Sequence, residues 1–130
     1  ACRAGTTTAA AFGTTLNSTQ ANFDGRYPYN QASYGPALNR TTPVGSYEPN
    51  AWGLYDMHGN VWEWCADWYG DYPPGAVADP QGPDTGIVRI LRGGSWNYPG
   101  WNCRSGFRGR HGPTNRHNFL GFRVVLFRSR

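Results

Sequence analysis

The stretch Asn50-Ala-Trp-Gly-Leu-Tyr-Asp-Met-His-Gly-Asn-Val-Trp-Glu-Trp-Cys65 decides how the rest of the chain is read. It sets Trp52, Trp62 and Trp64 among turn-forming glycines, with Asp56 and Glu63 as its only acids. Its pattern predicts a short helical turn over residues 50–55, a turn in which His58 is a buried hydrogen-bonding residue, and a Trp-rich strand over residues 61–68. Upstream, residues 1–20 are small and Thr-rich, Asp24-Gly25 reads as a turn, and residues 28–50 form a Pro-, Asn- and Tyr-rich loop. Downstream, Pro73-Pro74, Asp79-Pro80 and Gly82-Pro83 mark residues 70–86 as a surface loop. A β-branched strand is expected over 87–91 and a closing strand over 122–127, with a long aperiodic excursion over 97–120 between them. A loop of that length inside a compact domain is usually functional.

Composition narrows the fold further. The 130 residues form one domain or part of one, with no internal repeat and no linker. Hydrophobic residues make up only 38%, while aromatics reach 15%, so large rings must supply buried area that aliphatic side chains do not. Trp52, Trp62, Trp64, Trp96 and Phe122 are therefore expected in one buried cluster. The 18 Gly and 10 Pro exclude long helices and point to a loop-rich fold. No apolar run is long enough for a membrane span, and no membrane partner is expected.

Charge is divided along the chain. All eight acids lie at or before Asp84, whereas residues 85–130 hold nine Arg and no acid. A genome rich in Arg codons would give the same bias, and a basic face for an anionic partner is the functional reading. A loop as long as 97–120 stays fixed only if some of its polar side chains satisfy backbone groups, so Arg104, Arg108, Arg116 and Arg123 are expected to point inward or along the backbone and to bind carbonyls, or acids of the first 84 residues. Nucleic acid is accordingly not the expected partner. The three cysteines, Cys2, Cys65 and Cys103, contain no CxxC pair and so argue against structural zinc.

The opening motif resembles the signature of the formylglycine-generating-enzyme, or sulfatase-modifying-factor, domain family. Leu91-Arg-Gly-Gly-Ser-Trp96, Gly121-Phe-Arg-Val-Val125 and the opening Ala1-Cys-Arg-Ala-Gly-Thr-Thr-Thr8 resemble further segments of that family. The resemblance covers the whole chain. It implies an α+β, C-type-lectin-like fold, loop-rich with short twisted strands, of which these residues are the C-terminal portion.

Several chemical expectations come with it. The resemblance implies a calcium site at Asn60, Val61, Glu63 and Cys65, through the side chains of Asn60 and Glu63 and the carbonyls of Val61 and Cys65. The other reading leaves Glu63 accepting hydrogen bonds without metal. A second calcium region of the family resembles Asn22 and Phe23, but the acid expected there falls near Pro36. In catalytic members two cysteines follow Gly-Gly-Ser and hold copper. Counting from Ser95, those positions are Tyr98 and Cys103, so the thiolate pair that Cu(I) requires is broken and no copper is expected. Cys2 in Cys-Arg-Ala-Gly and Cys103 in Cys-Arg-Ser resemble recurrent family cysteines, which makes them a disulfide candidate. Two buried reduced thiols are the alternative.

The excursion also resembles the variable region of proteins diversified by retroelements, which use the same fold. Such systems alter template adenines, and an AAC codon changed in this way reaches Asn, Tyr, His, Ser, Thr, Gly, Arg and Phe but not Lys, Gln, Glu, Met or Trp. Between framework residues stand Asn97, Tyr98, Trp101 and Phe107, then Arg110, His111, Thr114 and Asn115, then His117, Asn118 and Phe119. Only Trp101 falls outside the reachable set. An ordinary family loop that happens to vary is the other reading. The expectation is a non-catalytic domain that presents these residues to a protein or other macromolecular ligand, with a sulfur-oxidising enzyme as the alternative. The resemblance implies a soluble bacterial, archaeal or phage-encoded protein, with display on a surface as one reading, and the sequence names no compartment.

Overall fold

A computed structural model describes residues 1–78 and 80–126. Four strands build one sheet in the order β3-β2-β1-β4. They are β1 (Trp62–Trp68), β2 (Arg89–Arg92), β3 (Gly109–His111) and β4 (Leu120–Gly121). β1 and β2 pair antiparallel, with Glu63 opposite Arg92 and Trp64 opposite Leu91, and the register shifts before Trp68 meets Arg89. β2 and β3 are also antiparallel, whereas β1 and β4 run parallel, with Trp62 opposite Leu120. A single 3-10 turn, Gly100–Cys103, is the only helical segment among the described residues, so the α part of the expected α+β class is not seen there. No helix among them is long and apolar enough to cross a membrane.

The expected strand at 61–68 is β1, as its bulky rings favour. The expected strand at 87–91 lies two residues later, because Ile90 and Leu91 are buried while Ile87 is exposed. The closing strand is β4 rather than 122–127. Phe122 and the following apolar residues are exposed and pair with nothing among the described residues, and Phe127 lies outside them. Residues 50–55 form a turn instead of a helix. The Asn50 side chain accepts from the backbone N–H of Trp52 and Leu54, an alternative that Asn commonly offers to helix.

The core differs from the expected tryptophan cluster. It gathers Leu16, Phe23, Ala10, Ala21 and Cys103, with Phe12 and Tyr29 packed against it. Of the five aromatics expected there, only Trp62 is fully buried. Trp64 and Trp96 are half-buried, while Trp52 and Phe122 are 61% and 76% exposed. The physical reason is close backbone approach. A Cβ on Gly59 would stand 2.3 Å from the Asn22 carbonyl oxygen, and one on Gly94 would stand 2.5 Å from Cys103 Sγ. Chains that close need little ring area between them.

Buried polar side chains fix these approaches. Asn60 Oδ1 accepts from Asn22 Nδ2 and the Thr42 N–H, and Asn60 Nδ2 donates to the Thr42 carbonyl. The Asn60 N–H donates to the Asn22 carbonyl at 2.7 Å. His58 is buried, as expected, and joins three segments. The Ala11 N–H donates to Nε2 at 3.0 Å, so Nδ1 carries the ring proton and donates to the Cys103 carbonyl at 2.7 Å.

Candidate ligand-binding surface

The site is built on β1. Trp62, only 3% exposed, is its floor. Tyr98 meets that ring edge-on at 5.4 Å, and Phe107 packs against it at 5.8 Å. Tyr98 in turn meets Phe119 at 5.9 Å. Phe119 stacks on His117 with the rings 3° from parallel, and His111 closes the group on both. Trp62, Tyr98, Phe107, Phe119, His117 and His111 are thus one continuous run of rings that leads from the core to solvent.

Backbone hydrogen bonds hold this run in place. The Asp24 N–H donates to the Tyr98 carbonyl, and the Gly100 N–H donates to the Tyr27 carbonyl. The Trp62 N–H donates to the Phe119 carbonyl at 2.8 Å, fixing the far end of the excursion to β1. Ser105 N–H reaches the Ala9 carbonyl. The excursion is therefore no free loop. It contains the 3-10 turn, β3 and part of β4, and its backbone is held by residues of the first 62, by β2 and by turns of its own.

Framework arginines do much of the rest. Arg104 Nε donates to the Trp101 carbonyl, and Arg108 Nη1 donates to the Gly70 carbonyl. Arg123 binds Glu63 as an ion pair and donates to the carbonyls of Tyr55 and Asp56. These three bind carbonyls or an acid as expected, Arg123 from an exposed position, while Arg116 is exposed. Arg92 was not anticipated in this role, yet it clamps the carbonyls of Phe107 and Ser105.

The expected ligand-facing residues fall into two groups. Arg110, Thr114, His117 and Asn118 are exposed, and Tyr98, Phe107, His111, Asn115 and Phe119 are half-buried within or beside the ring run. The Asn115 amide hydrogen-bonds His111. Trp101, 45% exposed, pairs edge-on with Tyr27 and does not join the run. Asn97 accepts a hydrogen bond from the buried Ser95 hydroxyl. Tyr69, Leu91, Asn102 and Arg108, which sequence reasoning did not select as ligand-facing, complete a concavity of about 350 Å³ together with Trp62, Tyr98, Phe107 and Arg110. Arg108 lies over the Tyr69 and Tyr72 rings, and Arg110 lies over Tyr69 at 4.7 Å. No local pattern in the sequence marks this wall, because its tyrosines and arginines stand on separate segments of the chain.

The calcium ligand set expected from the resemblance does not fit. Asn60 Oδ1 is taken by protein donors and both Glu63 oxygens face the Arg123 guanidinium, which would repel a cation. Asn22 Oδ1 is buried without a hydrogen-bond partner, but one such oxygen with Pro36 in place of an acid falls far short of the about six to eight oxygens calcium takes. The copper pair also fails on donor chemistry, because Tyr98 is a phenol packed on Trp62 and Cys103 is a fully buried thiol whose burial pushes it well up.

The Cys2–Cys103 bridge is not formed, and all three cysteines are free thiols. Cys2 Sγ lies 3.3 Å from Ser105 Oγ and over the His58 ring, whereas Cys103 Sγ packs against Gly94. Burial opposes ionisation of Cys2, but the adjoining His58 ring and a hydrogen bond with Ser105 hold its thiol below the ordinary value. Burial raises Cys65.

Residues 1–127 match the sulfatase-modifying factor enzyme 1-like domain, and the chain belongs to that family. It is 41% identical over 108 residues to the formylglycine-generating enzyme of Streptomyces coelicolor, covering 79% of this chain and 34% of that one. It is 46% identical over 89 residues to the serine/threonine-protein kinase pkn1 of Chlamydia pneumoniae, covering 65% of this chain and 14% of the kinase. Among solved structures, Treponema denticola variable protein 1 superposes with a TM-score of 0.76 at 31% identity, over 93% of this chain and 41% of that one. The chain thus spans well under half the length of these proteins.

Proposed function

We propose that this domain is a non-catalytic ligand-binding module whose contact surface is the ring run of residues 97–119 and the concavity beside it. The observation that carries the reading is the separation of duties. The backbone of the excursion is held by Asp24, Tyr27, Ala9 and Arg92, so the side chains that face outward are not needed to keep it folded. Several rings converging on one face are what an interaction site requires. Likeness to a protein named as variable supports a surface whose residues change while its frame stays. In that reading residues 97–119 are diversified by a retroelement through template adenines.

The surface test is a selection from a random peptide library on the immobilised domain. Binders should lose their signal on His117→Ala/Phe119→Ala, and that variant should keep the melting temperature of the parent. If the double variant unfolds, the rings are structural and the reading falls. Sequencing the 97–119 coding segment across a clonal population tests diversification, with invariance at Tyr98, Arg110 and Asn115 as the contrary result. Similarity to the Streptomyces enzyme favours sulfur-oxidising chemistry as a second reading. That reading requires tight Cu(I) binding without the second thiol, which titration of the reduced protein with Cu(I) decides.

A further inference from the structure

We propose that the concavity between the ring run and β3 takes an acidic polypeptide segment, with an Asp or Glu carboxylate set beside an aromatic or apolar side chain. The inference rests on the binding reading above and names the chemistry of the ligand. Three observations support it.

The first is charge. The concavity is lined by Arg108, Arg110 and His111 and by no Asp or Glu among the described residues. The ion pairs among those residues are Arg26 with Asp24 and Arg123 with Glu63, which leaves Arg110 without a carboxylate. Exposed and unpaired, its guanidinium is the cation a ligand meets.

The second is orientation. Arg110 lies over the Tyr69 ring at 4.7 Å, and Arg108 lies over Tyr72 at 3.8 Å. A guanidinium held over a ring face by its central carbon leaves N–H groups for a carboxylate, which its planar fork matches with two parallel hydrogen bonds. Arg108 already spends one nitrogen on the Gly70 carbonyl, so Arg110 is the main contact.

The third is shape. The opposite wall is apolar and rigid, made by Trp62, Tyr98 and Phe107. About 350 Å³ holds one or two side chains. Single-stranded nucleic acid needs rings free to stack on successive bases along a cationic groove. Here the rings are engaged with one another, His117 flat against Phe119 and Tyr98 edge-on to Trp62. A carboxylate on Arg110 with a neighbouring side chain on the Trp62 floor fits this short, two-sided pocket better.

The test uses random dodecapeptides displayed on phage, selected on the 130-residue chain and re-bound to Arg110→Glu and to His117→Ala/Phe119→Ala. Enriched peptides should pair Asp or Glu with an aromatic or large aliphatic residue, weaken with added salt, and bind Arg110→Glu about tenfold or more weakly. Circular dichroism of Arg110→Glu should match the parent, since that side chain is exposed. Enriched peptides without acids that still need Phe119 and His117 would overturn the acidic ligand and leave the binding surface standing. Enrichment that neither variant affects, or no enrichment, would overturn both. Oligo-dT that competes with the selected peptides, and binds more tightly than they do, would replace the polypeptide with nucleic acid.

Discussion

Residues 16–60 and residues 97–119 both run for long stretches with little regular secondary structure, yet they are held by different means. In the first, polar side chains turn inward. Asn22, Asn50, His58 and Asn60 are all buried, and each hydrogen-bonds backbone groups of a distant segment. In the second, the backbone is tied from outside, by Asp24, Tyr27 and Arg92, and the side chains are rings that contact each other. The lesson is that irregular chain can be rigid in two ways. Side chains can satisfy backbone and be fixed by sequence, or backbone can be satisfied by neighbours and leave the side chains open to change. Substitutions in the two regions should therefore separate cleanly.

The largest effect is expected where the first region approaches itself. Gly59 has φ +81°, and a Cβ there would stand 2.3 Å from the Asn22 carbonyl oxygen. Gly59→Ala should lose more than about 4 kcal/mol and fail to fold at ordinary temperature, since both strain and a backbone clash apply. A soluble variant with a parental melting curve would show that the approach is not rigid. Next is Trp62→Ala, which removes the shared floor of core and surface. It should cost about 3–5 kcal/mol and also abolish binding, because Tyr98 and Phe107 lose their support.

Asn60→Gly is a milder probe of the same contrast. Asn60 has φ +65°, which Gly accepts, so the substitution removes the hydrogen bonds to Asn22 and Thr42 without adding strain. It should cost about 1–3 kcal/mol by leaving buried donors and acceptors unpaired, measured by urea unfolding. The cysteines give a check that needs no mutation. Under native conditions a thiol reagent should modify Cys2 first, and Cys103 only on unfolding, with three thiols titrated in total. A titre of one would restore the Cys2–Cys103 bridge.

How much of this was legible in the sequence follows from the same division. The strand at β1 and the turn at Asp24 could be read because local residue type determines them, the buried His58 from its place in the signature turn, and the carbonyl-binding Arg104, Arg108 and Arg123 because an irregular excursion needs polar side chains to satisfy backbone. The tryptophan core could not. Trp52 lies in a turn stitched by Asn50 that leaves it outside, while the buried cluster draws on Leu16, Phe23, Ala10 and Ala21. The ring run was read as a set of exposed residues, but its anchor on Trp62 depends on a parallel pairing of β1 with β4 some sixty residues away, which no local pattern encodes.

The smallest expected effect lies at the seam between the two regions. Asp24 donates its backbone N–H to the Tyr98 carbonyl, while its side chain accepts from Arg26. The Arg26 hydrogen bond holds the Asp24 carboxyl below its ordinary value of 3.8. A carboxyl depressed in the folded state binds its proton more readily when unfolded, so its contribution to stability is complete above that ordinary value. It is lost as pH falls below 3.8 and through the folded value. Arg26 is largely exposed, and solvent screens the pair, so the loss should be small. Comparing melting temperatures of the parent and Asp24→Asn between pH 6 and pH 3 isolates it from the other acids. The two curves should differ at pH 6 and converge in acid. Curves that stay parallel throughout would mean that the backbone bond to Tyr98, and not the carboxylate, is all that Asp24 contributes to holding the surface on its frame.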